Sequence, residues 1–67
     1  MPSSVIRRYR YREAERLLEI DFVSGETYSY FDVPDGVVAG LRSASSKGRY
    51  FQGHIRDRFR YRRNRAA

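Results

Sequence analysis

From Val5 to Arg12 the chain alternates. Val5, Tyr9 and Tyr11 fall on one face at period two, while Arg8, Arg10 and Arg12 fall on the other with Ile6. β-branched and aromatic residues alternating with charge predict a half-buried strand. The polar stretch Arg12 to Glu15 has no glycine, which argues for a turn of four or five residues rather than a two-residue primed hairpin. Arg16 to Val23 alternates again, with Leu18, Ile20 and Phe22 on one face, Glu19 and Asp21 on the other, and Leu17 as the exception. Glu, Ala, Arg and Leu are good helix formers, so a helix through 13–22 competes. The regular alternation after Leu17 and the Ser24-Gly25 turn signal decide for a strand. Ser24-Gly25-Glu26 predicts a tight hairpin in which Gly25 takes a positive φ. Thr27 to Val33 is the most β-prone segment and the third predicted strand. Tyr28 and Tyr30 point one way, Ser29, Phe31 and Val33 the other. The tyrosines are expected inward or at the core edge, continuing the face of Leu18, Ile20 and Phe22.

After Asp32 the period changes. Val33 precedes a proline and is biased to an extended conformation. Pro34 suits a first helical turn, and Asp35 there complements the helix dipole. Val37, Val38, Leu41 and Ala44 recur at i, i+1, i+4 and i+7, the apolar face of one short helix. Gly36 and Gly40 weaken that helix but are expected to let it sit close to the sheet. Ser43 to Gly48 breaks the pattern. A second helix is predicted over Arg49 to Phe59, from the stripe Phe51, Ile55, Phe59 with Tyr50 and His54 alongside. Pro2, Ser3 and Ser4 read as a frayed start, Arg60 to Arg63 as partly ordered, and Asn64 to Ala67 as disordered. The predicted fold is α+β: a three-stranded antiparallel sheet followed by two short helices packed on one face, β-β-β-α-α. Residues 1–59 form the domain and residues 60–67 a basic, partly disordered tail.

At 67 residues there is room for one domain. A chain this short buries only about 60% of its unfolded surface, so it has one small core and no deep cavity. It has no cysteine, which excludes disulfides and thiolate metal sites, and His54 is the single histidine. No metal or other cofactor is expected. Stability must come from aromatic packing, with six tyrosines and four phenylalanines, or from a homodimer. No run of about 18 apolar residues exists to span a membrane. Met-Pro-Ser-Ser lacks the basic and apolar regions of a secretory signal, so a cytoplasmic location is expected.

The net charge of +6 is uneven. Up to Val33 five arginines face six acids, whereas from Pro34 onward nine basic residues face only Asp35 and Asp57. A strongly basic half suggests an anionic partner. A solvated, solubilising surface is the other reading. Thirteen of the fourteen basic residues are arginine, whose planar fork suits phosphates and stacked bases.

Two stretches carry candidate chemistry. Ser45-Ser46-Lys47-Gly48-Arg49 places small residues and charge just before a helix, where free backbone N–H groups can seat an anion. Ordinary N-capping by Ser45 or Ser46 is the alternative there. Arg56, Arg58, Arg60, Arg62 and Arg63 are interleaved with Phe59 and Tyr61, a pattern that suits nucleic acid by phosphate neutralisation and base stacking. A basic solvated tail is the alternative. Arg8, Arg10 and Arg12 either extend this patch or pair with Glu19 and Asp21 across the strands. The carboxylates Glu13, Glu15, Glu19 and Asp21 have no visible desolvated pocket for acid–base work. His54 with Asp57 and a nearby Ser45 or Ser46 is a combination common to many small domains. The chain therefore reads as a binding domain, not an enzyme.

The residues also resemble a known family, the KTSC domain, named for the C-terminal domain of lysyl-tRNA synthetase. The resemblance rests on the central Tyr28-Ser29-Tyr30, the early Ser3-Ser4 and the Tyr11 that closes the first strand. It rests further on Leu18-x-Ile20-x-Phe22 before Gly25, Val33-Pro34, and Ala44-Ser45-Ser46-Lys47-Gly48 followed by Tyr50-Phe51 and Ile55-Arg56. It runs from about Ser3 to Tyr61, and the arginine density of the tail is its main departure. It implies a tRNA-handling context and the RNA binding suggested for that family. The expected function is low-specificity binding of RNA or another polyanion. Ser45, Ser46, Lys47, Arg49, Arg56, Arg58, Arg60 and Arg62 are the candidate contacts. The alternative is a protein-interaction or self-associating module that uses a sheet edge or the aromatic face of the second helix.

Overall fold

A computed structural model describes residues 5–64. The expected frayed start Pro2-Ser3-Ser4 and the last three residues lie outside this range. Four antiparallel strands form one sheet in the order β1-β2-β3-β4: β1 Ile6–Arg12, β2 Leu17–Phe22, β3 Thr27–Tyr30 and β4 Tyr61–Asn64. Two helices, α1 Asp35–Ser43 and α2 Lys47–His54, lie between β3 and β4. The α+β class holds, but the sheet has four strands, not three. The segment read as a tail supplies the fourth. Its Tyr-Arg-Arg-Asn sequence carries charge on both faces, which hides the alternation and is typical of a short, blunted edge strand.

The hydrophobic alternation of β2 sets the core. Leu18 pairs with Tyr30 and Ile20 with Tyr28. Directly opposed residues share a face, so these four point the same way. Leu18, Ile20 and Tyr30 are buried together with Val38 and Leu41 of α1, Phe51 of α2, and Ile55. Both helices therefore cover one face of the sheet. Val37, Val38, Leu41 and Ala44 are all buried or half-buried, as the period requires.

Local backbone breaks correct the predicted pattern at three places. Ile6 was expected beside the arginines, yet it is buried. A bulge between Ile6 and Arg8 puts an extra residue in β1 and reverses the alternation. β3 ends at Tyr30 rather than Val33, because Asp32 is left-handed with φ 59°. That inversion swings Val33 from the predicted outer face into the core, where its N–H donates to the Arg16 carbonyl at 3.0 Å. Asp tolerates this region better than most side chains. Asp57 does the same with φ 64°, three residues past the end of α2 at His54, so the helix does not continue to Phe59. Phe59 still packs half-buried on the core, and the chain turns back to lay β4 beside β3.

The connections use their own side chains as ties. A single 3-10 turn, Glu13–Glu15, joins β1 to β2, closed by a left-handed Arg16. Val23 to Glu26 joins β2 to β3, with Gly25 at φ 100° as predicted. The Tyr11 hydroxyl donates to the Val33 carbonyl at 2.7 Å, with an Asp35 carboxylate oxygen at 3.0 Å as second acceptor. It pins the end of β1 to the start of α1. Burial and the Asp35 carboxylate together raise this phenol above its usual range. Gly40 serves the contact between helices rather than the sheet. A Cβ there would lie 2.6 Å from Cζ of Tyr50, whose hydroxyl donates to the Val37 carbonyl at 2.9 Å.

Candidate functional site

The candidate residues begin at the junction of the helices. Ser46 is the N-cap of α2, where its Oγ accepts from the Arg49 N–H at 3.3 Å. Lys47 is half-buried, and its Nζ lies 3.3 Å from the Ala44 carbonyl and 3.5 Å from that of Arg42. These are carbonyls at the end of α1, where a cation is favoured by the helix dipole. Ser46 and Lys47 are thus engaged in capping the two helices, whereas Ser45 is exposed.

Acids on the sheet sort the arginines. The two helices leave the other sheet face open, and there Arg8 lies 2.9 Å from Asp21 and Arg10 lies 3.1 Å from Glu19. Thr27 donates to Asp21 at 2.8 Å. That hydrogen bond, then the one from Arg8, holds the Asp21 carboxyl below the usual carboxylate range. Arg8 and Arg10 are thus tied into cross-strand pairs. Arg60 meets Asp32 at 3.5 Å and lies over the Phe31 ring, and Arg63 meets Glu26 at 3.6 Å. By contrast, Arg49, Arg56, Arg58 and Arg62 are exposed and make no ion pair among the described residues.

These four do not share one surface. Arg49 and Arg56 are seven apart, on the solvent side of the chain whose Phe51 and Ile55 are buried. Arg58 follows in the same turn. Arg62 sits opposite Ser29 in the β3–β4 register, on the open face of the sheet. Near Ser29, the Asn64 side chain donates to its hydroxyl at 2.8 Å.

The Tyr28-Ser29-Tyr30 pair belongs to an aromatic cluster under α2. Tyr30 is only 3% exposed. Its ring meets Phe51 at 5.7 Å and Tyr61 at 5.8 Å between centroids, and Tyr28 meets Phe22 at 5.3 Å. Burial, reinforced by Tyr28 and Tyr61, pushes the Tyr30 phenol well above its usual range. The sequence singles out Tyr61 only as an aromatic among the tail arginines; the β4 pairing, which sets it opposite Tyr30, brings its ring onto the tyrosines.

No catalytic grouping forms from the serines and His54. Ser46 caps the start of α2 and His54 is its last residue, about 12 Å along the axis. His54 stacks on Tyr50 at 4.2 Å, and its Nδ1 lies 3.2 Å from the Tyr50 carbonyl. Among the described residues there is no cluster of metal-binding side chains, and no helix long and apolar enough to cross a membrane.

Comparison with known proteins adds four findings. The family model of the KTSC domain matches residues 2–59. A lysine–tRNA ligase of Trichormus variabilis is 43% identical over 58 residues, which is 87% of this chain but 10% of the ligase. The chain thus spans about a tenth of such relatives, whereas a protein of Tsukamurella paurometabola is 41% identical with 87% of both chains covered. The crystal structure of a KTSC domain protein from Yersinia pestis is similar, with a TM-score of 0.86 and 40% identity over 96% of this chain and 90% of that one.

Proposed function

The chain belongs to the KTSC domain family, and we propose that it is a non-enzymatic domain that binds RNA with low sequence specificity. One observation carries this reading. After the ion pairs among the described residues are assigned, the exposed arginines left over are Arg7, Arg12 and Arg16 before Pro34 and Arg42, Arg49, Arg56, Arg58 and Arg62 after it, so the surplus is concentrated in the second half. In the first half Glu19 and Asp21 hold Arg8 and Arg10, and Glu26 and Asp32 reach Arg63 and Arg60, while the second half has only Asp35 and Asp57 of its own. Guanidinium groups without a protein partner are free to take phosphate oxygens in pairs. The match to a segment of lysine–tRNA ligases supports the same direction, since those proteins by name act on tRNA.

The expected affinity comes mainly from phosphate neutralisation, so it falls steeply with salt. For a single strand, the slope of log affinity against log salt is about −0.7 for each phosphate neutralised. Fluorescence anisotropy of a labelled RNA, read at increasing salt, measures it. Replacing Arg49, Arg56, Arg58 and Arg62 together by Gln should flatten the slope toward zero. Absence of binding to any RNA or DNA at about 50 mM salt refutes the proposal.

Self-association is a second reading, favoured by the two open edges of the sheet, β1 and β4. Light scattering across a concentration series reads it directly. The four-arginine variant would leave such an assembly intact.

A further inference from the structure

The two large apolar side chains that remain most exposed among the described residues are Val23 at 63% and Tyr61 at 55%. Both line one groove of about 410 Å³, bounded by the β2–β3 turn, the end of α2 and the start of β4. Ligand sites run from about 300 to 1,000 Å³, so the groove is of a size for a small guest. Its walls are the rings of Phe22, Tyr28, Tyr30, Phe51 and Tyr61, in mutual contact at centroid distances from 5.3 to 6.2 Å. A second feature is polar. Tyr30 lines the groove and is 3% exposed, yet its hydroxyl has no hydrogen-bond partner among the described residues. The hydroxyl is not sealed off, so it offers the groove a solvent-reached donor and acceptor at its floor.

We propose that this groove receives one unpaired base of a single-stranded nucleic acid, stacked against Tyr61, with a polar edge of the base at the Tyr30 hydroxyl. The assignment rests on the nucleic-acid reading above and gives it a place. Charge selects the occupant. Glu26 at the rim is matched by Arg63 at 3.6 Å, which leaves one charge of each sign, Arg56 and Asp57, in the rest of the lining. The groove is therefore close to neutral and suits an uncharged planar group, while a cationic guest would face Arg56. Arg56 lines the groove and makes no ion pair among the described residues, which leaves it for the adjoining phosphate. A duplex keeps its bases stacked inside, so the groove discriminates in favour of single strands.

The test compares the wild-type chain with Tyr61→Val and Tyr61→Phe, against a short single-stranded RNA and the same strand annealed into a duplex. Valine keeps the strand propensity of β4 without a ring; phenylalanine keeps the ring. Single-strand affinity should fall about tenfold in Tyr61→Val, the size of one lost stack, and hold in Tyr61→Phe. Duplex affinity should be unchanged in both. NMR signals of Tyr28 and Tyr61 should move when single strand is added to the wild-type protein. If all three proteins bind the single strand alike and those signals stay put, the groove assignment falls while the nucleic-acid reading stands. If no nucleic acid binds the wild-type protein, both fall. Groove signals that move with protein concentration alone would mark a face between two copies of the chain and overturn the assignment.

Discussion

Replacing Gly40 by alanine sets two effects of known size against each other. Gly40 lies inside α1, where alanine is favoured over glycine by about 1 kcal/mol. With nothing nearby, the substitution would stabilise the protein. At this position the new Cβ would come within 2.6 Å of Tyr50 Cζ and 2.8 Å of its Cε1. The ring has little room to withdraw. Its hydroxyl is held by the Val37 carbonyl at 2.9 Å, and its ring stacks on His54 at 4.2 Å. Moving it out forfeits a hydrogen bond worth about 1 kcal/mol, and overpacking of this kind costs about 1–3 kcal/mol. The clash and the lost hydrogen bond outweigh the propensity, so Gly40→Ala should lower stability by about 1–3 kcal/mol. For a domain this small that is a fall in Tm of about 4–8 °C for each kcal/mol. Thermal and urea unfolding followed by circular dichroism give the number. Two controls isolate the cause. Gly53 in α2 has nothing within 4 Å of its Cβ position, so Gly53→Ala should raise Tm. In a Tyr50→Ala background the clash is gone, and Gly40→Ala should become stabilising by up to about 1 kcal/mol. A rise in stability for Gly40→Ala in the wild-type background would refute the close approach of the two helices.

The core and the charged sheet face give further expectations. Tyr30→Ala should cost about 3 kcal/mol or more in urea unfolding, as for a buried aromatic, and a loss below about 1 kcal/mol would remove Tyr30 from the core. Asp21 has a lowered carboxyl pKa in the folded protein, so its contribution to stability is present above its unfolded pKa of about 4 and is lost as pH falls through the lower folded value. The stability gap between wild type and Asp21→Asn should therefore be constant near neutrality and narrow below about pH 4. A gap that stays the same into strong acid would show that the Thr27 and Arg8 contacts do not act through the ionised carboxylate.

Local pattern alone determined much of this protein. Alternation in Arg8 to Arg12 and Leu18 to Phe22 specified two strands and their charged faces, because side chains in a strand point to opposite sides whatever the chain does elsewhere. Gly25 specified the hairpin, and Val37, Val38, Leu41 and Ala44 specified the first helix and its buried side. The ordered series of short motifs carries the resemblance to the KTSC family without any tertiary structure. The tertiary structure decided what local pattern could not carry. Asp32 and Asp57 each enter the left-handed region at the cost of one strained residue, and each redirects everything after it. Tyr61 to Asn64 has no strand signature of its own and becomes a strand only because β3 offers an edge to pair with. That pairing brings Tyr61 to Tyr28 and Tyr30 and closes the aromatic groove. Which arginines stay unpaired was likewise a matter of register, since Arg8 and Arg10 meet carboxylates across β2 while Arg49, Arg56, Arg58 and Arg62 do not. Sequence distance says nothing of such meetings, because ion pairing depends on separations of a few ångströms between residues far apart in the chain.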